Sequence, residues 1–348
     1  MPRFHPLTVT EIRHDTDAAV VLSLSPESGD FSFTPGQYLT FRKDFDGVEL
    51  RRCYSLCASP EEGLKVGIKA VDGGAFSSFA KRGLKPGDRL EAMAPAGSFG
   101  AKRGKVNLGF AGGSGITPLL SIIKTTLGAD PAARFTLIYA NRSVASTMFR
   151  EDIQALKDLY MARFQVIHIL EDNAQDIELF AGRLDAGKLA GLFDGWIEIG
   201  AVDHAYICGP EPMMLVVKES LLAHLEPSRI SIEQFLSTQP GRAAQKAESV
   251  ASGGIGGAVR ATILLDGVSH ELALDAETAV LQAALDAKLD APYACRAGVC
   301  STCKARLVEG EVEMRANQAL EDYEVEAGYI LTCQSHAKTE KIVVDYDG

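Results

Sequence analysis

The stretch Cys295-Arg-Ala-Gly-Val-Cys300-Ser-Thr-Cys303 decides how the last part of this sequence folds, and Cys333 follows another 30 residues on. The spacing C-x4-C-x2-C…C is used by one class of [2Fe–2S] cluster, in which four thiolates complete the tetrahedral sulfur coordination of two irons. The residues between the cysteines are small, so the loop can wrap closely and direct backbone N–H groups at the sulfurs. The pattern predicts that these four cysteines hold a [2Fe–2S] cluster.

Structural zinc is the alternative interpretation of the same cysteines. Zinc sites with four cysteines usually contain two short Cys pairs, whereas this stretch has a single C-x2-C. A Rieske centre needs two histidine ligands, and only His336 lies near Cys333. The chain has seven cysteines, of which four gather near its end. Metal binding is therefore favoured over a disulfide framework, which is rare in a reducing compartment.

The region 259–348 resembles plant-type ferredoxin domains over nearly its whole length. This resemblance implies an α+β domain with a β-grasp fold. Two predicted strands, Val259–Leu265 and Ser269–Leu274, and a predicted helix, Thr278–Lys288, precede the cysteine loop. Residues 237–258 are rich in Gly, Ala and Ser and have no apolar periodicity, which predicts a linker.

The chain before the linker divides into two further regions. Residues 1–102 contain short apolar runs separated by Gly, Pro and Asp turns, as is typical of a small antiparallel β-barrel. In residues 103–236, apolar strands alternate with helical stretches, which predicts an α/β domain with a parallel sheet covered by helices. We therefore expect a multidomain protein with three folded units.

Two motifs in the predicted barrel suit a flavin. Arg52-Cys53-Tyr54-Ser55 ends a predicted strand, and Asp72-Gly73-Gly74-Ala75-Phe76-Ser77-Ser78 precedes a short helical stretch. A phosphate-bearing flavin needs a cation, an aromatic ring and a hydroxyl donor near N5. Glycine-rich backbone at a helix N-terminus suits a pyrophosphate. Either motif alone could be an ordinary strand end or turn, and Cys53 and Cys57 are interpreted as packing residues.

Two motifs in the predicted α/β domain suit a nicotinamide dinucleotide. Ala111-Gly112-Gly113-Ser114-Gly115-Ile116-Thr117-Pro118 follows a strand and opens a helix. Tyr206-Ile207-Cys208-Gly209-Pro210 has the same form. A strand-to-helix turn without bulky side chains exposes N–H groups to a dinucleotide phosphate.

Taken together and in this order, these motifs resemble the ferredoxin–NADP reductase superfamily. The resemblance implies that Arg52 contacts flavin phosphate, Tyr54 packs on the isoalloxazine and Ser55 lies near N5. The pyrophosphate is expected at Gly74, Phe76, Ser77 and Ser78. The G-G-x-F-S-S stretch favours FAD over FMN.

The same resemblance implies a nicotinamide site at the two glycine turns. The residues expected to line it are Gly112, Gly113, Ser114, Gly115, Thr117, Cys208, Gly209 and Pro210. Cys208 would stand beside the reactive edge of the nicotinamide, with Glu233 close by and Phe235 near the flavin face. The residues implied to be catalytic are thus Ser55, Cys208 and Glu233.

The preference for NADPH or NADH is expected to depend on the residue types that follow the second strand of the parallel sheet. Relatives contact the adenosine ribose there, and this sequence has Asn141-Arg142-Ser143 at that place. A cation and a hydroxyl without a carboxylate favour the 2′-phosphate of NADPH over the free ribose of NADH. We therefore expect Arg142 and Ser143 to bind NADPH, the alternative being that Arg142 is a solvated surface residue.

The predicted nicotinamide, flavin and [2Fe–2S] sites would act in succession in one electron-transfer reaction. A hydride delivers two electrons at once, whereas an oxygenase accepts them singly; a flavin can split the pair and a [2Fe–2S] cluster carries one. The sequence therefore predicts an NAD(P)H-dependent oxidoreductase that serves a terminal oxygenase component. The domain order resembles reductases of the phenylacetyl-CoA epoxidase and 3-ketosteroid 9α-hydroxylase kind, and the strings VDGGAFSSFA, NRSVASTMF and AGRLDAGKL look closest to the epoxidase type.

Other functions stay open at this point. The electron acceptor could be a Rieske oxygenase, a steroid hydroxylase or a desaturase. The protein could also be a redox-sensing electron-transfer module with little turnover.

Charge and hydropathy limit the partners. The net charge is −11, and residues 260–348 hold 16 acidic and 8 basic residues, a balance of 8 − 16 = −8. Such a module argues against nucleic acid as a partner and suits a basic protein surface, although solubility alone would also explain it. The sequence has no apolar run long enough to span a membrane and no secretory signal at its beginning. A cytoplasmic protein without membrane insertion is expected.

Overall fold

The computed structural model describes residues 4–172, 177–235 and 259–348. The predicted linker at 237–258 lies outside the described residues, and the third unit begins directly after it at Val259. No helix within the described residues is long and apolar enough to cross a membrane.

The first unit is an antiparallel six-stranded sheet with the order β4-β3-β6-β1-β2-β5. Its strands are β1 His5–Thr16, β2 Ala19–Pro26, β3 Tyr38–Phe45, β4 Val48–Ser55, β5 Leu64–Lys69 and β6 Arg89–Ala92. Leu56, which follows β4, pairs with Val66 of β5 and so curls the two outer strands of the sheet towards each other. Helix α1 (Ala75–Arg82) buries Phe76 and Ala80 in the core of this barrel.

Strand β1 was not expected from the sequence pattern. Its register against β2 shifts between Val9 and Glu11 and again between His14 and Thr16. Each irregularity breaks the alternation of apolar and polar residues by which a strand is recognised in a sequence. The apolar runs predict strands at Val20–Leu24, Gln37–Phe41, Leu64–Ala70 and Arg89–Ala94, and these agree with β2, β3, β5 and β6 to within a few residues.

The second unit is a parallel five-stranded sheet with the order β11-β10-β7-β8-β9, flanked by helices. Its strands are β7 Val106–Gly112, β8 Arg134–Asn141, β9 Phe164–Leu170, β10 His204–Gly209 and β11 Ile230–Gln234. Its helices are α2 Ile116–Ala129, α3 Arg150–Tyr160, α4 Ala186–Gly195 and α5 Glu211–Leu222. Helix α4 was not predicted, because its three glycines lower helix propensity; Asp185 caps it by accepting a hydrogen bond from Lys188 N.

The first two units share a core. Ala19, Val21 and Cys57 of the barrel pack in the same apolar cluster as helix α2 and strand β8 of the second unit. The Ser121 hydroxyl on α2 donates to the Ala58 carbonyl oxygen at 2.6 Å, and Lys124 forms an ion pair with Glu62 at 2.9 Å. These contacts fix the barrel against helix α2 of the second unit.

The third unit is a mixed five-stranded sheet with the order β13-β12-β18-β14-β16, in which β12 and β18 run parallel. Its strands are β12 Val259–Leu265, β13 Val268–Leu274, β14 Lys304–Glu309, β16 Tyr329–Leu331 and β18 Lys341–Asp345. Strands β15 (Val312–Met314) and β17 (Ser335–Ala337) form a separate pair. Helix α6 (Val280–Asp286) packs on this sheet, and a short acidic helix, α7 (Asp322–Glu326), lies at its edge.

Candidate active site and cluster site

The four predicted cluster cysteines converge in the third unit. All four are buried and free of disulfide bonds. Cys295 and Cys300 pack in one small apolar cluster, whereas Cys303 and Cys333 pack in the core of the third unit. The thiols therefore form two neighbouring pairs, 295/300 and 303/333, which suits a centre with two irons, each taking two sulfurs.

Electrostatics within the pairs favour partial ionisation. The neighbouring Cys300 lowers the pKa of Cys295, and the neighbouring Cys333 lowers the pKa of Cys303. A [2Fe–2S] cluster takes all four sulfurs as thiolates, the form that binds metal. In the described part of the chain, no group of three or more His, Cys, Asp or Glu side chains is suited to a single metal ion.

The loop between the cysteines is wound tightly by two residues in the left-handed region. Arg296 has φ 57° and Gly298 has φ 77°. A Cβ atom on Gly298 would lie 2.6 Å from the Ala316 carbonyl oxygen, so only glycine fits there. The backbone N–H of Ala297 points at the Cys295 sulfur at 3.4 Å, and that of Cys295 at the Cys300 sulfur, also at 3.4 Å. The predicted N–H groups directed at sulfur are thus present.

Strand β4 ends with the predicted flavin residues Arg52, Tyr54 and Ser55. Tyr54 is partly buried and packs against Phe76, with ring centroids 5.5 Å apart. Arg52 donates to the Arg51 carbonyl oxygen at 2.8 Å, and partial burial lowers its pKa. Among the described residues, no carboxylate forms an ion pair with Arg52. Its guanidinium is therefore open to an anionic group such as a phosphate.

The start of helix α1 offers main-chain donors at the predicted pyrophosphate position. Gly74 is the N-cap, and the first N–H groups of the helix have no intrahelical acceptor. The Ser77 hydroxyl accepts from Val71 N and donates to the Gly74 carbonyl oxygen, both at 3.3 Å, while the Phe76 ring lies in the barrel core. Phe76 and Ser77 can thus offer a pyrophosphate only their main-chain N–H groups; Ser78 is half-buried one position further along.

The two predicted nicotinamide turns lie against each other. They follow β7 and β10, which are adjacent and parallel, so both turns emerge at the same sheet edge. A Cβ atom on Gly112 would clash with Pro210, and one on Gly209 would lie 2.6 Å from Met213 Cε. The Thr117 side chain is buried and donates to the Ser114 carbonyl oxygen at 3.0 Å, so it supports the turn.

Gly115→Ala is expected to weaken dinucleotide binding. Its new Cβ atom would clash with the Cys208 carbonyl oxygen, which is backbone and cannot rotate away. Overpacking of this kind typically costs about 1–3 kcal/mol, so we expect a Kd for NAD(P)H raised about 5- to 100-fold. The measurement is titration of the variant with NAD(P)H, and Gly195→Ala is the control because a Cβ atom there meets open space. Unchanged binding by the Gly115 variant would contradict the assignment of the turn.

The structure brings together the three residues implied to be catalytic. Cys208 on β10 pairs in register with Glu233 on β11, and the Ser55 hydroxyl donates to Glu233 Oε1 at 3.2 Å. The other oxygen of Glu233, Oε2, is buried without a hydrogen-bond partner among the described residues. Burial raises the pKa of Glu233 to about 8, so the carboxyl is mostly protonated at neutral pH and can donate from this buried position.

Cys208 lies on the strand next to Glu233 and is fully buried. Burial is the main cause that raises the pKa of the Cys208 thiol well above its usual range, and electrostatic repulsion by the nearby Glu233 adds to it. The thiol therefore stays neutral and acts as a small uncharged side chain at the end of β10. Phe235, the last described residue of the second unit, packs against the core shared by the first two units.

Lys69 is a second cation near Arg142 and was not predicted from the sequence. Arg142 is exposed at the end of β8, and Lys69 at the end of β5 lies near Gly113, where a Cβ atom would be 3.7 Å from Lys69 Nζ. Burial and then repulsion from Arg142 lower the pKa of Lys69. The Ser143 hydroxyl donates to Ser146 Oγ at 3.3 Å. A lysine at the end of a strand gave no signal, because only the fold places it beside the glycine turn.

Comparisons with known domains agree with this geometry. Residues 7–100 match the oxidoreductase FAD-binding domain, residues 110–219 the oxidoreductase NAD-binding domain, and residues 263–338 the 2Fe-2S iron-sulfur cluster binding domain. In the solved structures, phthalate dioxygenase reductase, a modular protein for electron transfer from pyridine nucleotides to [2Fe–2S], is 25% identical with a TM-score of 0.61, the similarity covering 98% of each chain.

Curated relatives match along the whole chain. One of the subunits of 1,2-phenylacetyl-CoA epoxidase from Escherichia coli (strain K12) is 41% identical, with 100% of this chain and 99% of the relative covered. The ferredoxin reductase component of 3-ketosteroid-9-alpha-monooxygenase from Mycolicibacterium smegmatis is 34% identical, with 98% and 96% covered.

The fold and the three grouped sites define a reductase that combines FAD-binding, NAD-binding and [2Fe–2S] domains in one chain. Within that class, the chain belongs to the reductase components of oxygenases, members of the ferredoxin–NADP reductase superfamily with a C-terminal plant-type ferredoxin domain. It is an NAD(P)H-dependent oxidoreductase in which electrons pass through FAD and [2Fe–2S] to an electron-transfer partner. The predicted fold class, both resident cofactors and the reductase function are confirmed; the roles of individual site residues and the domain bounds stay predictions.

Proposed function

We propose that this protein delivers electrons from NADPH to a di-iron epoxidase component that acts on phenylacetyl-CoA. The proposal is supported by the full-length similarity to the phenylacetyl-CoA epoxidase relative, which exceeds the similarity to the steroid monooxygenase reductase. The observation that carries electron delivery is the packing of Cys53 against the cluster ligands Cys295 and Cys300, because Cys53 lies between the two proposed flavin residues Arg52 and Tyr54. A cytoplasmic location belongs to the same proposal, because a reducing compartment keeps the ligand thiols available.

Each group of residues has a part in this function. The guanidinium of Arg52 and the N–H groups at the start of α1 bind the phosphates of FAD, and Tyr54 orients its ring. FAD held by these residues would supply the chemistry that takes up a hydride and gives up its two electrons one at a time. The paired glycine turns hold the dinucleotide, while Ser55 and protonated Glu233 orient the reacting groups by hydrogen bonds. Catalysis rests on positioning, since no covalent attack is needed.

The test of the partner is reconstitution with purified oxygenase components. With an epoxidase component and phenylacetyl-CoA, we expect NADPH oxidation coupled to epoxide formation. A Rieske oxygenase, a steroid hydroxylase and a desaturase component serve as comparisons. Tight coupling with one of these and none with the epoxidase would contradict the proposed partner. NADPH-driven reduction of cytochrome c separates a reductase from a sensor with little turnover, because a sensor would be reduced once and then stop.

Arg142→Ala is expected to remove the preference for NADPH. Arg142 and the nearby Lys69 suit the 2′-phosphate of NADPH, and Arg142 has no ion-pair partner among the described residues. Loss of a hydrogen bond to a charged group costs about 1.5–3 kcal/mol, so kcat/KM for NADPH should fall about 10- to 100-fold while that for NADH stays the same. The measurement is steady-state ferricyanide reduction with each dinucleotide. Arg89→Ala, which removes an exposed arginine on β6, is the control; equal losses for NADPH and NADH would contradict the assignment.

A further inference from the structure

The third unit contacts the barrel through a buried arginine. The Arg51 side chain on β4 is 5% exposed, and its guanidinium lies 4.0 Å from the centre of the Tyr293 ring, two residues before the first cluster cysteine. Its Nε donates to Glu49 on the same strand at 2.8 Å, and its Nη2 donates to Asp290 of the third unit at 3.3 Å. Arg51 is therefore held between the two units by stacking and by two carboxylates.

Two further contacts tie the cluster loop to the barrel. The hydroxyl groups of Tyr38 on β3 and Thr302, next to the cluster cysteine Cys303, are 3.1 Å apart. Cys53 packs against a small apolar cluster that contains the ligand Cys300. Tyr38, Ala294 and Cys295 also belong to this cluster, which is separate from the main cores. The Cys53 side chain, interpreted from the sequence as ordinary packing, thus lies in this interface.

The interface uses the strand that carries the flavin residues. Arg51 and Cys53 alternate with Arg52 and Tyr54 along β4, so contacts to the cluster loop and residues for FAD come from adjacent positions. Transfer of an electron between two centres slows steeply as their separation grows. A small displacement of the loop from β4 would therefore lengthen the path between them.

We propose that Arg51 is a positioning residue that holds the cluster loop on β4 and so sets the rate of electron transfer from FAD to the cluster. This inference rests on the proposed sites for FAD and the cluster. Each transfer takes one electron from the flavin that NADPH has reduced and adds it to the cluster, so the flavin is oxidised and the cluster reduced by one electron, and no other reactant is required. Without the guanidinium, the interface would lose the stacking on Tyr293 and the hydrogen bond to Asp290, which would favour separation of the units.

The test uses the full-length protein with both cofactors and the variant Arg51→Ala. Anaerobic stopped-flow mixing with NADPH follows the flavin band and the iron–sulfur band separately. Loss of the stacking and charge contacts together should lower the docked fraction of the module and slow cluster reduction about tenfold or more. Flavin reduction should keep its rate, because hydride transfer takes place before the cluster is involved. The EPR spectrum of the reduced cluster should also be unchanged.

Hydrogen–deuterium exchange supplies a readout that does not depend on turnover. In Arg51→Ala, exchange should rise in residues 290–303 and in β4 and stay the same in the sheet of the second unit. Arg51→Lys keeps the charge but not the planar stacking, and we expect it to fall between the wild type and the alanine variant. Arg89→Ala serves as the control because its ion pair with Glu27 lies within the barrel.

If Arg51→Ala no longer binds FAD, a second variant, Tyr38→Phe, tests the same interface. It removes only the hydroxyl contact with Thr302 and should raise exchange in the cluster loop and slow cluster reduction by a smaller factor. Unchanged cluster reduction and unchanged exchange in Arg51→Lys and Tyr38→Phe would overturn the inference. Failure of NADPH to reduce the flavin of the wild type would instead contradict the proposed function, so the two failures are distinguishable.

Discussion

Cys303→Ser is expected to abolish electron delivery to a protein acceptor while NADPH still reduces the flavin. Cys303 is buried, pairs with Cys333 and supplies one of four sulfurs, so its loss leaves one iron without full coordination. NADPH-dependent reduction of cytochrome c should fall below detection. The iron and acid-labile sulfide contents should fall with it, and no EPR signal should appear after reduction with dithionite.

The matched control is Cys57→Ser. Cys57 is also a buried thiol, but it lies in the core shared by the first two units and donates to the Lys65 carbonyl oxygen at 3.3 Å, a bond that serine can keep. This variant should retain its cluster and its activity. Since cluster binding contributes to folding, Cys303→Ser should also unfold the third unit at lower temperature. A Cys303 variant with a full complement of iron and a normal EPR signal would contradict the ligand assignment.

Glu233→Gln is expected to slow hydride transfer about 10- to 100-fold, below the range for loss of a general acid or base because Glu233 acts here by orienting the reacting groups. The variant keeps the volume and a hydrogen bond to Ser55 but removes the acidic proton next to the buried Oε2 position. Stopped-flow absorbance of the flavin band measures the rate. Glu226→Gln, which changes an exposed carboxylate just before β11, is the control.

The pH dependence gives an independent check of the same residue. The pKa of Glu233 in the folded protein is raised to about 8, so the carboxyl is neutral below this pH and charged above it. Hydride transfer in the wild type should therefore slow as the pH rises through about 8, and in Glu233→Gln it should not. An identical pH profile in the two proteins would contradict a role for the protonated carboxyl.

The stability of the protein should respond in the same pH range. Because the folded-state pKa lies above the usual value of 4.5, the folded state binds more protons than the unfolded state between these values. The free energy of unfolding contributed by Glu233 is therefore present at acidic pH and lost as the pH rises towards about 8. Denaturant titrations at several pH values should show a shallower decline for Glu233→Gln than for the wild type.

The sequence alone determined the chemistry of this protein and most of its elements. The cysteine spacing, the R-x-Y-S strand and the glycine turns are local patterns, since each depends on residues that are neighbours along the chain. The cluster site and the parallel sheet could therefore be predicted from these patterns, and the reductase class from the resemblance of the ordered motifs to a known superfamily. Strand β1 and helix α4 were not predicted, because bulges in β1 and glycines in α4 weaken the periodicity from which elements are predicted.

Only the tertiary structure decided how the local motifs act together. Arg51 is adjacent to Tyr293 only because the third unit packs on β4, and Lys69 approaches Gly113 only because the barrel packs on the parallel sheet. The raised pKa of Glu233 likewise comes from burial beside Ser55, which is 178 residues away along the chain. Burial, electrostatic fields and contacts between units depend on distances in space, and a pattern of residues along the chain does not specify them.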